Sequence, residues 1–162
     1  MRDVRLPVTQ LAASAAGVGL IAWSARRAAT CRVDPPEERV FRVVNDAPDA
    51  LYPFVWPVMQ MGSLAAAFVT AGAVGRRRGL PEAAVVAAVG TAVWGGIKLI
   101  KPLVGRGRPA AHLDGVHVRG QPQTGLGYPS GHAAVSLTLA LVAARSPGAR
   151  AVALAAAALT GT

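Results

Sequence analysis

The sequence predicts an all-α, polytopic transmembrane helix bundle, and three observations point to it. Hydrophobic residues fill 52% of the 162 positions and charged residues only 15%. The apolar residues gather into four runs and the start of a fifth, and most of the arginines sit in the segments between them. The mean hydropathy is +0.40, despite a sequence pI near 11.4. A net charge of +9 by itself would favour a nucleic-acid or acidic-membrane partner. A soluble nucleic-acid-binding domain, however, carries more charge and shorter apolar runs than this.

The runs cover residues 7–23, 53–74, 83–100, 130–144 and 151–159, and only Lys98 interrupts the third. A spanning helix needs roughly 17–25 mostly apolar residues. The first three runs meet or approach that length, the fourth is short, and the fifth reaches the end of the sequence. All are rich in Ala and Gly, which let helix backbones approach closely in lipid. A soluble bundle of Ala-rich helices is the competing expectation, and run length and low charge weigh against it. No repeat of fixed period appears, so residues 1–162 read as one membrane-embedded domain. The single cysteine, Cys31, excludes an internal disulfide and a Cys-rich metal site.

Loop charge sets the expected orientation. Arg76, Arg77 and Arg78 separate the second and third runs. Arg2 and Arg5 precede the first, and Arg145 and Arg150 flank the fourth-to-fifth link. Alternating spans put all three groups on one side, which the positive-inside rule makes cytoplasmic. Residues 24–52 and 101–129 then form outer loops. Trp23, Tyr52, Trp56 and Trp94 lie near the outer ends, where an aromatic belt belongs. Arg26, Arg27, Arg32, Arg39 and Arg42 also crowd the first outer loop, with Asp34, Glu37, Glu38, Asp46 and Asp49 to balance them. Residues 1–30 also admit a cleaved signal peptide. The length of the run and the lack of an A-x-A site before Arg26 favour a retained helix.

Within the first outer loop a short helix is expected. Asp34 suits its cap, Pro35 and Pro36 its first turn, and Glu37 and Glu38 its dipole. Val40, Phe41 and Val44 share one face, and the helix ends near Asn45. It reads as an amphipathic helix on the outer membrane surface.

The second outer loop holds the densest chemistry, at its two ends. KPLVGRGRP begins at Lys101 and YPSGH ends at His132. Lys101 and Arg108 supply a point charge and a planar fork of donors, a common pairing for phosphate oxygens. Gly105 and Gly107 permit tight turns, and Pro109 fixes the exit. Ser130 offers a hydroxyl and Gly131 an unhindered N–H. A helix starting there adds free N–H groups. His132 exchanges a proton near neutral pH. Arg106 and Arg119 add general attraction for an anion. The inventory suits phosphoryl transfer, which depends on charge stabilisation and positioning.

Three other readings of the same residues stand beside this one. Arg106-Gly107-Arg108-Pro109 resembles an AT-hook, a mobile arm for the DNA minor groove. His112, Asp114 and His117 match no strong metal-ligand spacing and read as polar loop residues. Ser130 with His132 as its base, or His132 alone, is a further arrangement for nucleophilic chemistry. Lys98 reads as a snorkelling lysine at the end of the third run.

Lys101 to Arg108-Pro109 fits K-x6-R-P, and Pro129-Ser130-Gly131-His132 fits P-S-G-H. In this order and in one outer loop, they resemble the first two of three signature motifs of the type 2 phosphatidic acid phosphatase superfamily. The resemblance covers roughly residues 37–162. It implies a six-helix membrane bundle, of which five spans are present and the fifth incomplete. It implies that Lys101, Arg108, Ser130 and the Gly131 N–H bind phosphate, and that His132 is the general acid. The implied reaction is metal-independent hydrolysis of a lipid phosphate or polyprenyl diphosphate through a phosphohistidine. No cofactor, metal or nucleic-acid partner is implied, and the site would lie on the outer face of the plasma membrane.

The family's third motif, S-R-x5-H-x3-D, has no counterpart, because no histidine and no acid follows His132. The expectation is a truncated chain that binds phosphate without turnover. A non-catalytic phosphate-binding scaffold is the alternative.

Overall fold

The structure, a computed structural model, describes residues 8–119, 124–144, 148 and 151. Arg2, Arg5, Arg145, Arg150 and nearly all of the fifth run lie outside these residues. The regular structure described is helical, as expected. The helices are α1 (Val8–Ala28), α2 (Pro35–Asn45), α3 (Tyr52–Gln60), α4 (Leu64–Arg78), α5 (Leu80–Val104) and α6 (Gly131–Ala143). Short 3-10 turns occupy Asp49–Leu51 and Pro109–Ala111. One isolated antiparallel bridge joins Gly107 to Leu126.

The centre is a contact of three helices, α4, α5 and α6. Ala67, Ala71 and Val74 of α4 meet Val86 of α5 and Val135 and Leu139 of α6 in one buried cluster. The side chains are small because the backbones are close. A Cβ on Gly90 would lie 2.6 Å from the Ala67 Cβ and 3.5 Å from a Leu139 methyl. Glycine is what permits that crossing of α4 and α5.

The turn between these helices is as tight as the triple arginine suggests. Gly79 alone separates them, at φ 92°. Arg78 reaches across the bundle and donates to the Ala143 carbonyl at 2.9 Å, satisfying an orphan acceptor at the end of α6. Lys98 does not snorkel freely. Its ammonium lies 3.7 Å from the centre of the Trp94 ring one turn earlier.

The second apolar run departs from the expected single span. It is two helices, and the axis through Asp49–Gln60 meets that of Leu64–Arg78 at a 64° bend. Two local causes act at the break. The Ser63 hydroxyl accepts from the Ala66 N–H at 3.2 Å and so starts a new helix. Gly62 meets the backbone of α6, where an added Cβ would lie 2.2 Å from the His132 carbonyl oxygen. Hydropathy passes smoothly over Met61, Gly62 and Ser63 and registers neither cause.

Two helix ends also differ from expectation. α1 continues past Trp23 to Ala28, with Arg26 and Arg27 in its last turn. Arg27 packs over the Trp23 ring and pairs with Asp34. Asp34 therefore occupies the cap position of α2 without a side-chain capping bond.

Among the described residues, α5 alone is long and apolar enough to cross a membrane by itself, and the bent α3–α4 pair passes the same test together. At about 1.5 Å per residue, the 25 residues of α5 reach about 37 Å, against a hydrocarbon core of roughly 30 Å. Only 11% of its most apolar window is buried.

The Gly90 contact yields a packing prediction. Gly90→Val forces α4 and α5 apart and costs about 1–3 kcal/mol, the usual penalty of overpacking. Gly96→Ala, whose Cβ would meet nothing within 4 Å, causes no such loss. Unfolding midpoints of the two purified variants in detergent check this.

Candidate functional site: a basic cradle between two loop ends

The two ends of the segment from Lys101 to His132 converge because their backbones are stitched together. Gly107 bridges Leu126, and the Gly127 N–H donates to the Arg106 carbonyl at 2.9 Å. The Lys101 ammonium, in the last turn of α5, donates to the Leu126 carbonyl at 2.8 Å. The approach leaves no room for a side chain at Gly127, where a Cβ would sit 2.9 Å from the Gly107 carbonyl oxygen. Gly105 ends α5 in the left-handed region at φ 71°, its N–H returning to the Lys101 carbonyl. Lys101 thus anchors the returning strand as well as charging the site.

Beyond Gly127 the chain passes through a cis Tyr128–Pro129 peptide to Ser130. The Tyr128 hydroxyl hydrogen-bonds the Ser24 hydroxyl of α1 at 2.5 Å. Ser130 is the N-cap of α6, its Oγ accepting from the Ala133 N–H at 3.3 Å. The hydroxyl proton stays free to donate outward. The first-turn N–H groups of Gly131 and His132 have no intrahelical acceptor and carry the positive end of the helix dipole. The fourth apolar run therefore begins as a helix at the point where P-S-G-H ends.

These elements gather the expected residues. Arg108 and Lys101 both act electrostatically on the exposed His132 imidazole. Lys101 and Arg108 also lie close enough to repel each other. Arg108 has the most telling environment. Its Nε is buried without a hydrogen-bond partner among the described residues. A buried guanidinium donor left unpaired is costly, and an anion beside it would satisfy it. Two cations, the Ser130 hydroxyl and the start of α6 form a candidate site for a compact oxyanion.

Two other expected attractants are engaged elsewhere. Arg106 pairs with Glu37 of α2 at 2.6 Å, with only 11% of its side chain exposed. A minor-groove arm needs this guanidinium free, and here it is tied to Glu37. Arg119 pairs with Asp49 at 2.6 Å and donates to the Ala47 carbonyl. Both guanidinium charges are spent on carboxylates outside the cradle.

The loop histidines and Asp114 do not assemble. His117 Nε2 lies 3.2 Å from Asp49, while Asp114 offers its main-chain carbonyl to Arg42. His112 packs beside Gly107. No group of three His, Cys, Asp or Glu side chains placed to hold a metal occurs among the described residues.

The sequence patterns did not register the role of Asn45. Its buried amide makes two bonds with the His117 backbone, donating to the carbonyl at 2.8 Å and accepting the N–H at 3.0 Å. Arg42 donates to the carbonyls of Asp114 and Gly115. α2 thus clamps the loop that carries Arg108. Below it, the Arg119 hydrogen bond lowers the Asp49 pKa from its ordinary value, aided by the His117 charge. The Asp49 brace stands above the usual carboxylate range and is lost as pH falls through the lowered value.

No family model, curated protein or solved structure matches this chain.

Removing the clamp has a local consequence. Asn45→Ala leaves the His117 backbone groups unpaired, a cost of about 1–3 kcal/mol. Hydrogen exchange across residues 114–119 accelerates, whereas exchange at Val135, Leu139 and Ala140 in the core stays slow.

Proposed function

We propose that this chain forms the phosphate-binding part of a membrane enzyme that hydrolyses lipid phosphates or polyprenyl diphosphates. The single observation that supports the reading best is the unpaired buried Nε of Arg108. It faces a problem that a phosphate oxygen solves. The likeness of K-x6-R-P and P-S-G-H to the type 2 phosphatidic acid phosphatase motifs supplies the reaction class.

In this reading Arg108 and Lys101 hold the non-bridging oxygens, with the Ser130 hydroxyl and the Gly131 N–H completing the cradle. His132 gives a proton to the departing lipid oxygen. The phosphohistidine step requires a second histidine, which the 162 residues do not place after His132. Phosphate binding without turnover is the behaviour proposed for these residues alone.

The setting proposed is a polytopic bundle in the plasma membrane, with the cradle on the outer face. The exposure of α5 supports it: an apolar helix with only 11% of its most apolar window buried suits a nonaqueous surround. The substrate then reaches the cradle from the outer leaflet, its headgroup at the level of the loop.

A short-chain phosphatidic acid, added to the purified chain and followed by phosphorus NMR, tests both aspects. Binding is expected without release of inorganic phosphate. Arg108→Ala weakens it by about 30-fold or more, equivalent to the roughly 2 kcal/mol or greater cost of breaking a buried charge-assisted pair. Arg108→Lys restores only part, because an ammonium cannot reproduce the guanidinium fork. Unchanged affinity in Arg108→Ala, or phosphate release that His132→Ala abolishes, contradicts the proposal.

A further inference from the structure

The inward side of α2 is held mainly by polar contacts, unlike an ordinary surface helix, whose apolar side turns inward. Beside the half-buried Phe41, Glu37 holds Arg106, Arg42 holds two loop carbonyls, and the buried Asn45 holds His117. The valines of α2 face away, with Val40 59%, Val43 77% and Val44 40% exposed. Because the polar contacts fix the rotation of the helix, the valine face cannot turn inward without breaking them. Farther along the chain, Leu51, Phe54 and Trp56 are exposed too, on the segment leading into the bent α3–α4 pair.

Charge identifies what covers this face. Although the loop carries nearly balanced charges, the acids are mostly consumed internally. Asp34 pairs with Arg27, Glu37 with Arg106, Glu38 with Arg42, and Asp49 with Arg119. Arg26, Arg32 and Arg39 are exposed and make no ion pair among the described residues, against Asp46 alone of the acids. Arg39 precedes Val43 by one turn and borders the valine stripe. An apolar stripe edged by unpaired arginine suits an anionic lipid interface, with the side chains at the acyl boundary and the guanidinium among phosphates.

We infer that α2 lies flat on an anionic bilayer, its valine face in the headgroup–acyl boundary and its polar face holding the phosphate-site loop at that depth. The inference rests on the reading that α5 spans the bilayer, and it is independent of what the cradle binds.

The test uses the full chain with Cys31→Ser and Val43→Cys, labelled at position 43 with an environment-sensitive fluorophore. The protein is reconstituted into vesicles of phosphatidylglycerol and phosphatidylcholine. The inference expects blue-shifted emission, quenching by lipids carrying a nitroxide high on the acyl chain, and a severalfold loss of quenching by aqueous iodide. Arg39→Gln, or vesicles of phosphatidylcholine alone, moves the label outward and weakens the nitroxide quenching. A label as open to iodide as the free dye, on protein that resists alkaline extraction, overturns the inference and leaves the spanning reading intact. Protection that grows with protein density and brings energy transfer between labels shows a second copy on the face and also overturns it. Protein released by alkaline extraction removes the spanning reading and this inference together, while lipid-phosphate binding by the cradle remains separately measurable.

Discussion

The stitch between residues 106–107 and 126–127 is the constraint on which the site depends. Nearly twenty positions of loop separate those segments, and closing such a loop carries an entropic cost that local bonds must offset. The Gly107–Leu126 bridge, the Gly127-to-Arg106 bond and the Lys101-to-Leu126 bond do so together. They fix Arg108 on one side and lead the chain into Ser130 and His132 on the other. Without them the two motifs are merely neighbours in sequence, and no cradle exists.

The stitch is supported from both sides. Beneath it, the small-residue contact of α4, α5 and α6 sets where α5 ends and where α6 begins. Gly62 touches the backbone of His132, so the break in the second apolar run and the position of the imidazole are one packing event. Above it, α2 holds the intervening loop through Glu37, Arg42 and Asn45. The arginines nearest the cradle divide accordingly. Arg106 and Arg119 are structural ties, and the buried Nε of Arg108 is left without a partner among the described residues.

Much of this could be read from residue order. Helix content follows from the apolar runs, the α4–α5 turn from Gly79 beside three arginines, and α2 from its proline and acidic first turn. Lys101, Arg108, Ser130 and His132 stand out by chemistry, and the structure brings them to one place. The remainder depends on contacts between distant residues. Nothing local in Asn45 indicates that it bonds to His117, nor in Gly62 that the backbone of α6 lies against it. Arg108 stands apart from Arg106 in the sequence by its place in K-x6-R-P, but nothing local shows that Arg106 is tied to Glu37, far upstream. Asp34 takes the expected cap position, but its carboxylate pairs with Arg27 instead of the helix N–H groups.

Under the proposed function Arg108, not its neighbours, meets the phosphate oxygen. The most direct measurement is the side-chain Nε–H resonances of the arginines, by nitrogen-15 NMR, as inorganic phosphate or vanadate is added. The account predicts that the Arg108 resonance shifts and becomes protected from exchange, while those of Arg106 and Arg119 stay fixed on Glu37 and Asp49. A shift confined to the exposed Arg26, Arg32 and Arg39, with Arg108 unmoved, would contradict it.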